Sequence, residues 1–163
     1  MIKADITAYR GSQDYEVTAS LGESVISIKW DSGAKYTVIS ARVFNSRLTD
    51  EDLEKIKTYC EEHSSHREKF VSATGHTFDG YLVKVHNATI GNTDFNDLYY
   101  YLVVENERDI ALMGFDFIDN CKGSFEPHGD IIITEFDEER YGSHIPGAVD
   151  NDEVISLIDS LST

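Results

Sequence analysis

Apolar and polar residues alternate along most of the chain, and this pattern predicts a series of short β-strands. Every second residue is apolar in residues 2–8, and a similar alternation runs through residues 25–30 up to Asp31. Several later segments are apolar on both faces, which is typical of strands that lie between two layers. The further candidate strands are residues 37–44, 69–73, 80–90, 98–105, 110–114 and 130–136.

Two segments have the spacing of amphipathic helices instead. Thr49, followed three residues later by Asp52, is an acidic variant of the capping box and predicts a helix over about residues 50–62. Apolar residues on one side of residues 151–161 predict a second helix near the C-terminus. We therefore expect a mostly β fold with two peripheral helices, in a single domain over residues 1–163.

Charge and composition exclude several classes of partner. The chain carries 14 Lys and Arg against 30 Asp and Glu, a formal net charge of −16, which opposes binding to nucleic acids and to anionic membranes. No apolar run is long enough to cross a bilayer, and the first residues lack the apolar core of a secretory signal. We therefore expect a cytoplasmic protein in which Cys60 and Cys121 are reduced thiols.

Asp31 is the first candidate for a functional residue. It ends an apolar strand and is followed at once by Ser32, Gly33 and Ala34. Because a carboxylate is depleted in strands and costly to bury without a partner, this position favours a turn or a site. Gly33 and Ala34 allow a substrate or a second backbone to approach closely, and the Ser32 hydroxyl can fix the turn by hydrogen bonds. An ordinary turn has the same composition, so the triplet needs support from elsewhere in the chain.

Two later motifs supply that support in the right order. Residues 72–83 form a glycine-bearing segment suited to a β-hairpin, and LMGFDFI, residues 112–118, is an apolar strand that breaks at a glycine. Together with WDSGA, residues 30–34, these motifs resemble the retropepsin-like, or retroviral-type, aspartic peptidases over about residues 25–121. The helix at 50–62 and an acidic C-terminal tail make the chain longer than the minimal retroviral enzyme, and their role stays open.

The resemblance implies a fold, an activity and a set of functional residues. The fold would be a closed acid-protease barrel with a flap hairpin, and the activity that of an aspartic endopeptidase acting on peptides or proteins without cofactor or metal. Since the chain has one Asp-Ser-Gly triplet, catalytic Asp31 would meet its symmetry mate in a homodimer, where the two carboxylates share a proton and activate water. The implied supporting residues are Ser32, Gly33 and Ala34 in the active-site turn, Thr74, Gly75 and His76 in the flap, and Gly114 and Asp116 in a turn that supports the fold.

Other candidate residues favour structural explanations. Asp116 is an alternative second acid in the same chain, but its place just after a glycine turn favours a carboxylate that hydrogen-bonds backbone groups. Cys60, His63 and His66 stand three residues apart, yet no second pair of zinc ligands stands at a matching spacing, so a solvated helix end is expected. His76 favours an exposed loop position over a catalytic role.

Two functions other than the peptidase stay open at this point. The first is a retropepsin-fold dimer that binds a peptide or protein partner without hydrolysing it, because a fold does not establish turnover. The second is a β-rich structural protein with a chance resemblance. A fold in which the strand before Gly114 does not cross near Asp31 would favour the chance resemblance.

Overall fold

The structure is a computed structural model that describes residues 1–105, 109–126, 129–141 and 145–161. Eleven strands and five helices lie in these ranges. The strands are β1 (Ile2–Arg10), β2 (Tyr15–Leu21), β3 (Ser24–Trp30), β4 (Val38–Ser40), β5 (Arg67–Val71), β6 (Thr77–Ile90), β7 (Thr93–Val103), β8 (Ala111–Met113), β9 (Cys121–Phe125), β10 (Ile131–Phe136) and β11 (Val149–Asp150). The helices are α1 (Ala41–Phe44), α2 (Asp50–His63), α3 (Phe115–Ile118), α4 (Glu138–Tyr141) and α5 (Asn151–Ser160).

Six of the described strands close into a mixed barrel. Around the barrel, β6 pairs with β7, β7 with β4, β4 with β8, β8 with β3, β3 with β2, and β2 returns to β6. The closing contact is short and antiparallel, between residues 19–21 and residues 88–90. Of the other strands, β1, β10 and β9 continue the sheet beyond β2, whereas β5 and β11 pair with β6. The predicted closed, mostly β barrel is confirmed.

The long strands β6 and β7 bury both of their faces. Val83 and Val85 of β6 point into the main core, whereas Leu82 packs on the opposite face with Tyr99 and Tyr101 of β7. This two-sided burial explains why residues 80–90 and 98–105 read as nearly continuous apolar runs. Each large side chain removed from water in this way contributes about 1.5–3 kcal/mol to stability.

Helix α2 begins at the capping box that the sequence predicts. The Asp52 N–H donates to the Thr49 hydroxyl oxygen at 3.1 Å, and the Thr49 N–H donates to the Asp52 carboxylate at 2.9 Å. The helix buries Ile56 and Cys60 completely against the barrel. Its other side is exposed, so α2 is one of the two expected peripheral helices.

Helix α5 is fastened to the barrel through a buried amide. The Tyr100 hydroxyl donates to Asn151 Oδ1 at 2.7 Å, and Asn151 Nδ2 donates to the Leu21 carbonyl oxygen at 3.3 Å. Val154 and Ile158 then pack into the main core. α5 is the second expected peripheral helix, and no helix in the described ranges is both long and apolar enough to cross a bilayer.

Candidate active site

Strand β3 carries Asp31 to the end of the barrel. Trp30, the last residue of β3, pairs with Met113 of β8, and the Asp31 N–H donates to the Met113 carbonyl oxygen at 3.0 Å. The chain then turns, because the Ala34 N–H donates to the Asp31 carbonyl oxygen at 3.1 Å. The Gly33 N–H donates to Asp31 Oδ1 at 3.0 Å. The carboxylate is therefore held by the backbone of its own turn, as Asp side chains commonly are.

The Asp31 carboxylate is accessible and has a cation beside it. Its side chain keeps 30% of its surface open to solvent, and Ser32 is exposed. Lys29 Nζ lies 3.8 Å from Asp31 Oδ2 and 3.3 Å from Asp14 Oδ1, so the two carboxylates share one ammonium group. Lys29 was not among the predicted site residues. Its contact with Asp31 was foreseeable, because residues two apart on a strand point to the same face.

The strand before Gly114 crosses directly behind the Asp31 turn. The Phe115 N–H donates to the Ala34 carbonyl oxygen at 2.7 Å, which joins α3 to the end of the turn. A Cβ at position 114 would overlap the carbonyl group of Tyr36, so only glycine fits this crossing. The fold thus has the crossing whose absence would have favoured a chance resemblance.

Asp116 accepts hydrogen bonds from the segment that follows the Asp31 turn. The Thr37 hydroxyl donates to Asp116 Oδ1 at 2.7 Å and the Thr37 N–H to Oδ2 at 3.1 Å, while the Gly114 N–H donates to the Thr37 hydroxyl oxygen at 3.1 Å. Burial raises the pKa of Asp116 above its usual value, and the hydrogen bonds from Thr37 oppose that rise. Thr37, which links α3 to the start of β4, was not among the predicted site residues.

The glycine-bearing segment forms the hairpin between β5 and β6. At its tip the Ser72 N–H donates to the His76 carbonyl oxygen at 2.8 Å, and the Gly75 N–H donates to the Ser72 carbonyl oxygen at 3.0 Å. Gly75 has φ +86°, a conformation that other residues rarely adopt. His76 is exposed and lines a separate depression beside Glu54 and Glu105.

An apolar groove of about 570 Å³ lies between the end of the Asp31 turn and this hairpin. Ala34 and Lys35 line one side, and residues 69–74 of the hairpin line the other. The groove therefore brings together Ala34 and Thr74 from the predicted site residues. Among the described residues its lining does not include Asp31, Gly75 or His76. The larger apolar side chains of the lining are Tyr36, Val38, Phe70, Phe78, Ile110 and Leu112.

The two histidines considered as zinc ligands have other partners. His63 Nδ1 lies 2.8 Å from the Tyr59 carbonyl oxygen, and His66 Nε2 lies 3.0 Å from the Tyr101 hydroxyl. Cys60 is buried, and this burial raises the pKa of its thiol to about 12. Among the residues that the structure describes, no three potential ligands form a group that could hold a metal ion.

Comparisons with known proteins address the fold. No protein-family model matches the chain, and no curated protein matches it significantly. The chain is similar to the crystal structure of a retropepsin-like aspartic protease from Rickettsia conorii, with a TM-score of 0.54 and 17% identity, covering 79% of this chain and 98% of that one. It is also similar to the retroviral protease-like domain of Ddi1 from Leishmania major, with a TM-score of 0.44 and 13% identity, covering 77% of this chain and 95% of that one. The Rickettsia structure shows that this chain has a retropepsin-like fold, as its motifs predict.

Proposed function

We propose that the protein is an aspartic endopeptidase and that Asp31 is its catalytic residue. The observation that carries this proposal is the placement of Asp31, an accessible carboxylate fixed by the Gly33 N–H at the end of a closed barrel. The turn is braced from behind at Gly114, and its last residue, Ala34, lines an apolar groove. A fixed carboxylate beside a groove of this size suits attack on an extended peptide.

The second carboxylate comes from a second copy of the chain. Hydrolysis by a shared proton requires two carboxyl groups in direct contact. Asp14 does not meet this requirement, because it and Asp31 are joined through the Lys29 ammonium group. A homodimer with Asp31 from each subunit at its two-fold axis supplies the missing group. One carboxylate then takes a proton from water as the water oxygen attacks the peptide carbonyl carbon. The other gives its proton to the carbonyl oxygen, and the C–N bond breaks with protonation of the amine.

The remaining predicted residues take supporting roles in this proposal. Ser32 braces the two active-site turns across the axis, and the exposed Gly33 backbone contacts substrate. Thr74, Gly75 and His76 belong to a flap that covers the bound peptide. Since the hairpin strand β5 pairs with β6 on one side, a peptide in the groove can add to the hairpin as a further strand. Gly114 and Asp116 hold the turn in place.

A dimer that binds peptides without cleaving them is the second candidate. It is favoured by one observation, that in the described residues the apolar groove is lined without a contribution from Asp31. A peptide could therefore occupy the groove whether or not Asp31 reacts.

The net charge and the state of the two cysteines support proposals about the partners and the cellular compartment of the protein. The net charge of −16 supports our proposal that neither nucleic acid nor a membrane is a partner. Cys60 and Cys121 are both free thiols, which supports the cytoplasm as the compartment because thiols stay reduced there.

Replacement of Asp31 by asparagine tests the catalytic role. Wild-type protein and Asp31→Asn are incubated with a diverse peptide library from pH 3 to pH 8, and cleavage is read by mass spectrometry. We expect Asp31→Asn to lose at least about a thousandfold in rate, because asparagine cannot accept the proton from water. Asp14→Asn is the matched control and should continue to cleave. Full cleavage by Asp31→Asn would overturn the proposal.

Mixing the subunits tests the homodimer. If each active site needs Asp31 from two copies, an excess of Asp31→Asn will draw wild-type subunits into inactive mixed dimers. Wild-type activity should then fall toward zero as the variant is added. Constant activity under this titration, together with a monomeric mass by light scattering, would rule out the shared site.

A further inference from the structure

The groove beside the Asp31 turn is basic in a strongly acidic chain. Among the residues that the structure describes, its charged lining residues are Lys35 on the turn side and Lys69 on the hairpin. Within the described part of the chain no acidic side chain stands in that lining, although the full sequence has 30 Asp and Glu against 14 Lys and Arg. The separate depression that His76 lines shows the contrast, since Asp50, Glu54 and Glu105 line it together with Arg42.

Both lysines are available to a ligand. Lys35 is exposed and makes no ion pair within the described ranges, and its Nζ lies 5.1 Å from the centre of the Tyr36 ring. Lys69 Nζ lies 3.7 Å from Asp79 Oδ1, but the side chain keeps 77% of its surface exposed, so this pair contributes little. Lys29 differs, because two carboxylates already balance its charge.

The charge and the apolar lining of the groove together indicate which peptide residues fit between these lysines. Much of the lining is apolar and aromatic, with Tyr36, Phe70 and Leu112 among its residues. Such a surface binds a large apolar side chain, whereas the two lysine ammonium groups attract carboxylates. In an extended peptide successive residues are about 3.3 Å apart, so one short segment can satisfy both preferences.

We infer that this groove selects peptides in which an aspartate or glutamate stands close to a large apolar residue, near the cleaved bond. This inference rests on the proposed function, since it assigns the substrate class of the same site. Lys35 and Lys69 are the residues that set the preference for acidic side chains.

The test uses one peptide library with two readouts. Cleavage by wild-type protein is sequenced by mass spectrometry, and peptides retained by immobilised Asp31→Asn are identified from the same library. We expect acidic residues to be enriched about fivefold near cleaved bonds and in retained peptides, and the enrichment to vanish in Lys35→Gln/Lys69→Gln. Lys55→Gln/Lys122→Gln removes the same charge from exposed positions elsewhere and should keep it. The enrichment should also weaken in 1 M salt.

The outcomes separate this inference from the proposed function. Cleavage without acidic enrichment would overturn the inference and leave the peptidase in place. Acidic enrichment among retained peptides with no cleavage would support the inference and favour a binding protein. If peptides are neither cleaved nor retained, both are overturned. If the control variant loses the enrichment to the same degree, the overall charge and not the groove sets the preference, which also overturns the inference.

Discussion

The Asp31 turn and the tip of the β5–β6 hairpin border the same groove, but they are held in different ways. Bonds to distant parts of the chain fix the turn, since the Asp31 N–H donates to Met113 and the Ala34 carbonyl accepts from Phe115. The tip is closed by bonds between close neighbours, such as the one from the Ser72 N–H to the His76 carbonyl. Long-range contacts thus hold one side of the groove, and local contacts hold the tip on the other.

Two glycines show the same contrast. A Cβ on Gly114 would run into the backbone of Tyr36, whereas a Cβ on Gly75 would find no atom of the described residues within 4 Å. A reacting carboxylate has to stay within a fraction of an ångström of its working position, while a cover over a cleft has to open and close. The difference between the two regions is therefore the one that our proposal of a fixed catalytic turn beneath a flap requires.

Gly114→Ala should have the largest effect on stability. The added methyl group meets backbone that cannot rotate away, so we expect a loss of about 3 kcal/mol or more in the free energy of unfolding. Urea unfolding followed by circular dichroism measures this loss, and a variant too unstable to purify agrees with it. A loss below about 1 kcal/mol would mean that the crossing behind the turn is not tightly packed.

Thr37→Val should have an intermediate effect. Valine matches the shape of threonine but lacks the hydroxyl, so the buried Gly114 N–H loses its acceptor and Asp116 loses a donor. An unpaired buried polar group costs about 1–3 kcal/mol, and we expect a loss in this range by urea unfolding. Thr37→Ser keeps the hydroxyl and is the matched control. A Thr37→Val variant as stable as the wild type would show that the hydrogen bonds of the Thr37 hydroxyl do not stabilise the turn.

Sequence patterns identified the central residues of the candidate site because its parts are local. The turn residues Asp31 and Gly33 form one short motif, and Gly114 and Asp116 form another, so each can be recognised without knowing the fold. Thr37 and Lys35 were not identified, because their importance comes from what the fold brings next to them. Thr37 meets Asp116 across 79 positions of the chain, and Lys35 gains a role only where the hairpin closes the groove.

The same distinction between local patterns and contacts made by the fold applies to the secondary structure. The predicted strand over residues 37–44 is wrong in its second half, where the three-residue strand β4 gives way to helix α1. The Ile110 N–H donates to the Ser40 hydroxyl at 2.8 Å at this point, and β-branched Val43 then packs with the core from a helical turn. Tertiary contacts therefore override the strand preference of this segment. Strand β9 was not predicted because it is an exposed edge strand without an apolar pattern.

Gly75→Ala should have the smallest effect on stability. It serves as the control for the comparison between the Asp31 turn and the hairpin tip. The methyl group has open space, but alanine must adopt φ near +86°, which costs about 1 kcal/mol. We expect a loss of that size or less in urea unfolding, and a smaller one for Gly75→Asn, because asparagine tolerates this conformation better. Hydrogen exchange should speed up at the amides of Gly75 and His76 and stay unchanged at the Asp31 amide, since the tip opens locally. Equal acceleration at Asp31 would contradict the separation of the two regions and would mean that the hairpin tip and the Asp31 turn unfold together.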